Sequence, residues 1–240
     1  MSQDPPFAEA RIKAEALFRA YREGTDLAPF EIRDHCEARL IKEVFQEILV
    51  NNEGIGGYKL SFTNYPTLKK FRLEEPEFAI LTGRMITKQL LIESPFTHTY
   101  AEAELIAEVE NCDASRANVC VKTLWLGLEV PATRFRQPIN RLTTYHLIAD
   151  NLLAWRLHLG VQIDSEPKWV RLIVNEREQG EGAPFYVYGT YRSMLKWLST
   201  KVGRYSGYVA TGAIVGPVPV KRGDVVTVKS DKGEFTVGIG

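Results

Sequence analysis

Thr99-Tyr100-Ala101-Glu102-Ala103-Glu104-Leu105-Ile106-Ala107-Glu108 can be read in two ways, and the two readings lead to different proteins. Ala, Glu and Leu dominate it, and intrinsic propensity makes such a run helical. In a helix Glu102 and Glu104 point well apart around the axis; in a strand they share one face. Two carboxylates on an inward strand face repel unless a cation neutralises them, so the strand reading brings a metal ion with it. Taken by itself the stretch favours the helix, and the choice rests on what surrounds it.

On its N-terminal side, Pro6 to Asn51 is rich in helix formers, with apolar residues at three- and four-residue spacing: Ala14, Leu17, Phe18 and Tyr21, then Leu40, Val44, Phe45, Ile48 and Leu49. The break at Gly24 to Pro29 divides this into two amphipathic helices. After Gly54-Ile55-Gly56-Gly57 the pattern changes to short runs punctuated by Gly, Pro and Asn: Tyr58 to Phe62, Phe78 to Leu81, Leu90 to Ile92, Leu124 to Val130, Trp155 to Leu159 and Trp169 to Val174. One more helix is expected at Tyr191 to Val202, followed by strands at Tyr208 to Ala213, Val225 to Val228 and Glu234 to Ile239. Many short strands without a βαβ rhythm predict an α+β protein with a mostly β, irregular barrel or sandwich core. The expected organisation is a helical segment over residues 1–53 and a β body over residues 54–240.

The 30 basic residues balance 30 acidic ones, and no long stretch carries one sign. Neither nucleic acid nor an anionic membrane surface is an expected partner. Met1 to Phe7 lacks a basic segment leading into an apolar one, and no apolar run is long enough to span a bilayer, so a cytoplasmic location is expected. Cys36, Cys112 and Cys120 form no CxxC pair, which predicts reduced, structural thiols. Gly54-Ile55-Gly56-Gly57 lacks the third glycine of a dinucleotide fingerprint and follows a helix, so no nucleotide is expected there. His35, His98, His146 and His158 are scattered and read as satisfied structural histidines. Glu74, Glu75 and Glu77 read, by composition alone, as a solvated loop ahead of a strand.

The order of the remaining segments resembles the fumarylacetoacetate hydrolase superfamily, in its 2-hydroxypenta-2,4-dienoate hydratase and 2-oxo-3-hexenedioate decarboxylase branch. Gly57-Tyr58-Lys59-Leu60-Ser61-Phe62-Thr63-Asn64 is similar to the hydratases' GKKIGLTS signature, and Glu75-Pro76-Glu77-Phe78-Ala79-Ile80-Leu81 to their D-x-P-D-F-G-x-L loop. Ala101-Glu102-Ala103-Glu104-Leu105 resembles the V-E-A-E-I strand that carries two metal ligands. Leu128-Glu129-Val130 with Arg134-Phe135 resembles the strand that carries the third. Ile148-Ala149-Asp150-Asn151 with Leu157-His158-Leu159-Gly160, then Thr211-Gly212-Ala213, Val218-Pro219-Val220 and Gly223-Asp224, complete the series, so the resemblance runs from about Ala16 to the C terminus. It reverses the propensity reading and makes Thr99 to Glu108 a strand.

The resemblance implies Mg²⁺ or Mn²⁺ on Glu102, Glu104 and Glu129, leaving open positions for the carboxylate and 2-oxo oxygens of a small 2-oxo acid. It implies a hydratase converting a 2-hydroxy-2,4-dienoate to a 4-hydroxy-2-oxo acid, with the metal as Lewis acid. Lys59 is then the candidate for holding the substrate carboxylate or relaying a proton, and Glu77 the candidate acid/base. A 2-oxo-3-enedioate decarboxylase is the alternative on the same fold and metal, and a non-catalytic oligomeric scaffold is the alternative of another class. An acylpyruvate hydrolase fits less well, because such relatives usually lack the long N-terminal helical segment. Homo-oligomers are expected. Four departures fall near the place of a substrate tail: Leu-Ser-Phe-Thr in the signature, Val130-Pro131-Ala132 after Glu129, Tyr191-Arg192 where a H/N-P pair is usual, and Leu152-Leu153-Ala154-Trp155-Arg156 in place of a Ser-rich patch. Arg156 is thereby a candidate for recognising an additional carboxylate.

Overall fold

The structure is a computed structural model describing residues 5–240; Met1 to Asp4, part of the polar start noted above, lie outside the described residues. Two long helices come first, α1 (Pro5–Glu23) and α2 (His35–Glu53), as the three-four apolar spacing predicts. Asp34 caps α2 by accepting from the Glu37 amide, supplying an acceptor that the first helical turn lacks. There follow β1 (Gly57–Ser61), α3 (Tyr65–Phe71), β2 (Glu77–Leu81), β3 (Ile86–Thr87), β4 (Leu91–Ile92), β5 (Thr99–Cys112), β6 (Val121–Val130), α4 (Thr144–Ala149), β7 (Arg156–Ile163), β8 (Val170–Val174) and β9 (Arg177–Gly182). The chain ends with α5 (Tyr191–Val202), β10 (Tyr205–Val220), β11 (Val225–Ser230) and β12 (Gly233–Ile239).

The strands form a seven-stranded sheet, β2-β1-β10-β5-β6-β7-β3, and a five-stranded sheet, β4-β12-β11-β8-β9. Both are mixed, with parallel pairs only at β1/β10, β3/β7 and β12/β4. The α+β class is as expected, and Thr99 to Glu108 is a strand. Its alternation shows why propensity misleads. Ala101, Ala103, Leu105, Ala107 and Val109 face the second sheet and α5 in one core, while Ile106 faces α1 and α2 in another. Alanine, leucine and glutamate are strong helix formers, so propensity hides the two-residue alternation of alanine and glutamate that marks the strand.

α1 and α2 pack on the large sheet through Ala10, Ala14, Leu17, Ile41, Phe45 and Leu49, which meet Ile106, Trp125, Leu157 and Ala210 of the strands. The helical segment therefore forms one face of the core that carries the sheet. α3, α4, the two-residue β3 and β9 lie outside the elements expected from sequence. α3 and α4 span seven and six residues, too few for a periodic pattern to stand out, and β9 is polar, with its glutamates at the sheet edge. The reduced-thiol expectation is corrected for two of the three cysteines. Cys112 and Cys120 close a disulfide across the end of the β5–β6 hairpin, where antiparallel pairing brings together residues eight apart, and Cys36 remains free. Among the described residues no helix is long and apolar enough to cross a membrane.

Candidate metal centre

Strand pairing builds the site. β5 and β6 run antiparallel with Glu102 directly opposite Glu129, and Glu104 two residues along shares their face. A ligand oxygen from each of the three carboxylates lies within 4.8 Å of the others. Glu104 and Glu129 are fully buried, and Glu102 opens to a cavity. Lys59, on β1 and also buried, brings Nζ to 2.5 Å from Glu129 Oε1 and donates to the Leu152 carbonyl at 2.8 Å. The structure thus assembles four of the five site residues expected from sequence.

Charge shows what the cluster lacks. Two unit charges 4.8 Å apart repel by about 3 kcal/mol at an effective dielectric of ~20, and three ionised glutamates against one ammonium leave a net charge of −2. Without a cation the protein answers by holding protons. Burial and the neighbouring charge of Glu129 push Glu102 up to about 8. Burial and the charges of Glu129 and Glu102 push Glu104 well above the carboxylate range. Lys59 moves the other way from burial alone: burial would lower it, but Glu129, Glu102 and Glu104 outweigh that and raise it. Glu104 Oε1 and Glu129 Oε2 are buried without a hydrogen-bond partner, and Glu129 Oε1 has the Lys59 ammonium beside it. Buried carboxylate oxygens are expensive to leave unpaired, and a divalent cation would satisfy these oxygens and balance the excess charge. The donor set, three carboxylates and no thiol or imidazole, suits a hard cation such as Mg²⁺ or Mn²⁺.

β10 supports the cluster from the other side. Its ladder with β5 slips repeatedly between Ala210 and Val218. Within that irregular stretch the Gly212 amide donates to Glu104 Oε2 at 3.0 Å. Gly212 has φ +114°, and a Cβ there would stand 2.1 Å from Thr63 Oγ1. Thr211 Oγ1 donates to the Leu105 carbonyl and accepts from the Tyr186 hydroxyl, tying the bulge to β5.

The cavity beside the cluster has a volume of about 220 Å³. One wall is a turn with an unusual backbone: Asn151, Leu152 and Leu153 have φ of 46°, 51° and 63° in succession. Left-handed backbone costs a non-glycine residue roughly 1–2 kcal/mol, so three in a row persist only when clamped. Asn151 exchanges hydrogen bonds with the Ile80 backbone and accepts from Gln46 of α2. Arg134 and Asp150, both fully buried, pair at 2.5 Å, and Arg134 also reaches the Ala154 carbonyl. The sequence motifs flagged Arg134, Asp150 and Asn151 as matching residues; their joint role as a clamp is visible only in three dimensions.

Two expected roles are corrected. Glu77 does not line the cavity: its carboxylate is gripped by Arg39 at 2.7 Å and Lys42 at 2.7 Å from α2. Burial opposes its ionisation, but Lys42 and Arg39 outweigh that and hold it below its usual range, so it is an ion-paired anchor for α2 and a poor proton donor. Nor does Arg156 face the cavity; it stacks 3.8 Å over the Trp155 ring and donates to that residue's carbonyl. None of the four histidines lines the cavity. His98 and His146 have hydrogen-bond partners as expected, whereas His35 Nε2 and His158 Nδ1 are buried without one. Gly57 sits where a Cβ would meet the Tyr208 carbonyl oxygen at 2.0 Å, a packing reason for that glycine.

No protein-family model matches the chain, and no curated protein matches it in sequence. Solved structures do. The chain is similar to 4-oxalocrotonate decarboxylase from Pseudomonas putida G7 complexed with magnesium and adipate, at 18% identity and a TM-score of 0.83 over 97% of this chain and 98% of that one. The same enzyme complexed with calcium and acetate gives 0.81 over the same shares, also at 18% identity. Fumarylpyruvate hydrolase from Pseudomonas aeruginosa in complex with Mn²⁺ and pyruvate gives 0.59 at 17% identity, over 76% of this chain and 88% of that one. From its N-terminal helices to its final strands, the chain has the fold of the fumarylacetoacetate hydrolase superfamily.

Proposed function

We propose that the chain is a divalent-metal-dependent enzyme of that superfamily acting on a small 2-oxo acid, and that it is a hydratase of 2-hydroxy-2,4-dienoates. The observation that carries this reading is the buried triad itself, with Glu104 Oε1 and Glu129 Oε2 lacking any partner and a charge that one lysine does not balance and a divalent cation would. Glu102, Glu104 and Glu129 would hold Mg²⁺ or Mn²⁺, which supplies Lewis acidity toward the oxygen at C2 when bound. The solved relatives complexed with magnesium, calcium and manganese support the same ion class.

The chain's own residues do the rest. Lys59 is held protonated, fixed by Glu129 and the Leu152 carbonyl at the cavity wall, and keeps donor capacity for the substrate carboxylate. The apolar wall lowers the local dielectric and strengthens that contact. In the net reaction the dienol loses the proton of its C2 hydroxyl and gains one at C5, and water then adds across C3 and C4, its hydroxyl to C4 and its proton to C3. Glu102 is the triad carboxylate that lines the cavity in which these carbons would lie.

A second reading, decarboxylation of a 2-oxo-3-enedioate, is favoured by the full-length likeness to 4-oxalocrotonate decarboxylase. Following the ultraviolet band of freshly made 2-hydroxypenta-2,4-dienoate and 2-hydroxymuconate-type dienol, with Mn²⁺ present or chelated, tests both readings. Metal-dependent loss of the band, absent in the Glu102→Ala, Glu104→Ala double variant, is the expected result. Release of CO₂ would select the decarboxylase, and a 4-hydroxy-2-oxo acid the hydratase. No turnover and no Mn²⁺ binding would leave a scaffold of the same fold.

A further inference from the structure

The apolar part of the cavity lining carries chemistry that the metal centre does not explain. Phe62, Phe71, Ile139, Leu147, Leu152 and Leu153 form its apolar part, its neutral polar groups come from the Ser61 to Thr67 segment, and Lys59 is the one cationic side chain among the described lining residues. That cation holds Glu129 and the Leu152 carbonyl, and its remaining donor is the one assigned above to the C1 carboxylate, which leaves none for a second. Arg156, the sequence's candidate for recognising a second carboxylate, is turned away onto Trp155. The two leucines are held to the wall by the left-handed turn and its clamps from Asn151, Asp150 and Arg134, so they cannot easily withdraw to admit a charged group.

Resting on the proposed function, we infer that this cavity selects 2-oxo acids whose far end is an uncharged hydrocarbon, with Leu152 and Leu153 as the residues that discriminate against a second carboxylate. A carboxylate pressed against Leu152 and Leu153 would lose its water and gain no cationic partner, a heavy penalty. An alkyl or alkenyl tail loses only water that hydrates it poorly, and each buried methylene adds affinity. The same wall predicts that, of the two reactions considered, the one needing a dicarboxylic substrate is disfavoured at the binding step.

The test uses non-reacting saturated probes and reads binding instead of turnover. Calorimetry of the Mg²⁺-loaded protein with pyruvate, 2-oxohexanoate and 2-oxohexanedioate should give tightest binding for 2-oxohexanoate, by about tenfold or more over the diacid. Leu153→Arg places a cation on the wall, and Ile139→Arg does so from the half-buried rim, where folding is less exposed to the change. In at least one folded variant the preference should shift toward the diacid by about tenfold or more. Equal or tighter binding of the diacid by the native protein overturns the inference, as does an unshifted ratio in both variants with circular dichroism unchanged. Pyruvate separates the two levels: if it binds while the tail preference fails, the proposed function stands alone. If none of the three acids binds, both fall.

Discussion

Glu102 and Glu104 hold protons in the metal-free protein because burial and the charge of Glu129 disfavour three carboxylates ionising together. The consequence for stability has a definite sign. A carboxyl whose pKa is raised on folding, here from the ordinary 4.5 to about 8 for Glu102, stabilises the fold fully below about 4.5, and that contribution is lost as pH rises through about 8. Thermal melts in chelator should therefore show Glu102→Gln, Glu104→Gln gaining on the native protein as pH rises from 5 to 8. The two curves should stay parallel if the carboxyls are ordinary surface acids. Gly212 is the other residue on which the site depends. With φ +114° and Thr63 Oγ1 2.1 Å from any Cβ, Gly212→Ala must move the bulge whose amide holds Glu104. Loss of such an outer contact typically weakens metal affinity by about 10–100-fold, which Mn²⁺ calorimetry would detect. Unchanged affinity would show that the amide is dispensable.

At the scale of elements, the site is a product of pairing and of one clamped turn. The antiparallel register of β5 and β6 puts Glu129 across from Glu102, and the slips in β10 make room for both glutamates of β5. The turn from Asn151 to Leu153 depends on Arg134 and Asp150, an ion pair with no exposure to solvent. Arg134→Met should cost about 3–5 kcal/mol in denaturant unfolding, because it strands a buried carboxylate, and adding Asp150→Leu should recover much of that loss. Equal loss in the single and double variants would mean that packing of Arg134 against Phe45 and Phe96 matters more than its charge. The disulfide belongs to the β5–β6 hairpin. Closing so short a loop constrains the unfolded chain by roughly 2–3 kcal/mol in the chain-entropy model, so a strong reductant should lower the melting temperature of the native protein. Cys112→Ala, Cys120→Ala should be indifferent to reductant, and alkylation of both thiols in the unreduced, unfolded chain would show the bond absent.

For the molecule as a whole, binding at the triad should act on the global fold, since β5 and β6 lie at the centre of the large sheet between both cores. Mg²⁺ at about a hundred times its dissociation constant would add about 2.7 kcal/mol and raise the melting temperature by roughly 5–10 °C. The triple Gln variant of Glu102, Glu104 and Glu129 should show no such rise; an equal rise in that variant would place the ion elsewhere. The sequence by itself determined the two amphipathic helices, whose three-four periodicity needs no tertiary context, and most of the strands that Gly and Pro delimit. Read with its ordered motifs, it also determined the residues of the carboxylate cluster and Lys59. Tertiary structure alone decided which neighbours those charges meet. Glu77 looked like a proton donor until α2 brought Arg39 and Lys42 onto it, and Arg156 looked like a substrate contact until β7 turned it onto Trp155. The pairing of Cys112 with Cys120 likewise required the hairpin register, and the leucine wall required a left-handed turn held by residues up to about a hundred positions away in the chain. The physical reason is common to all four. Local periodicity is encoded within a few residues, whereas pKa, side-chain direction and pocket lining depend on long-range packing that no short segment contains.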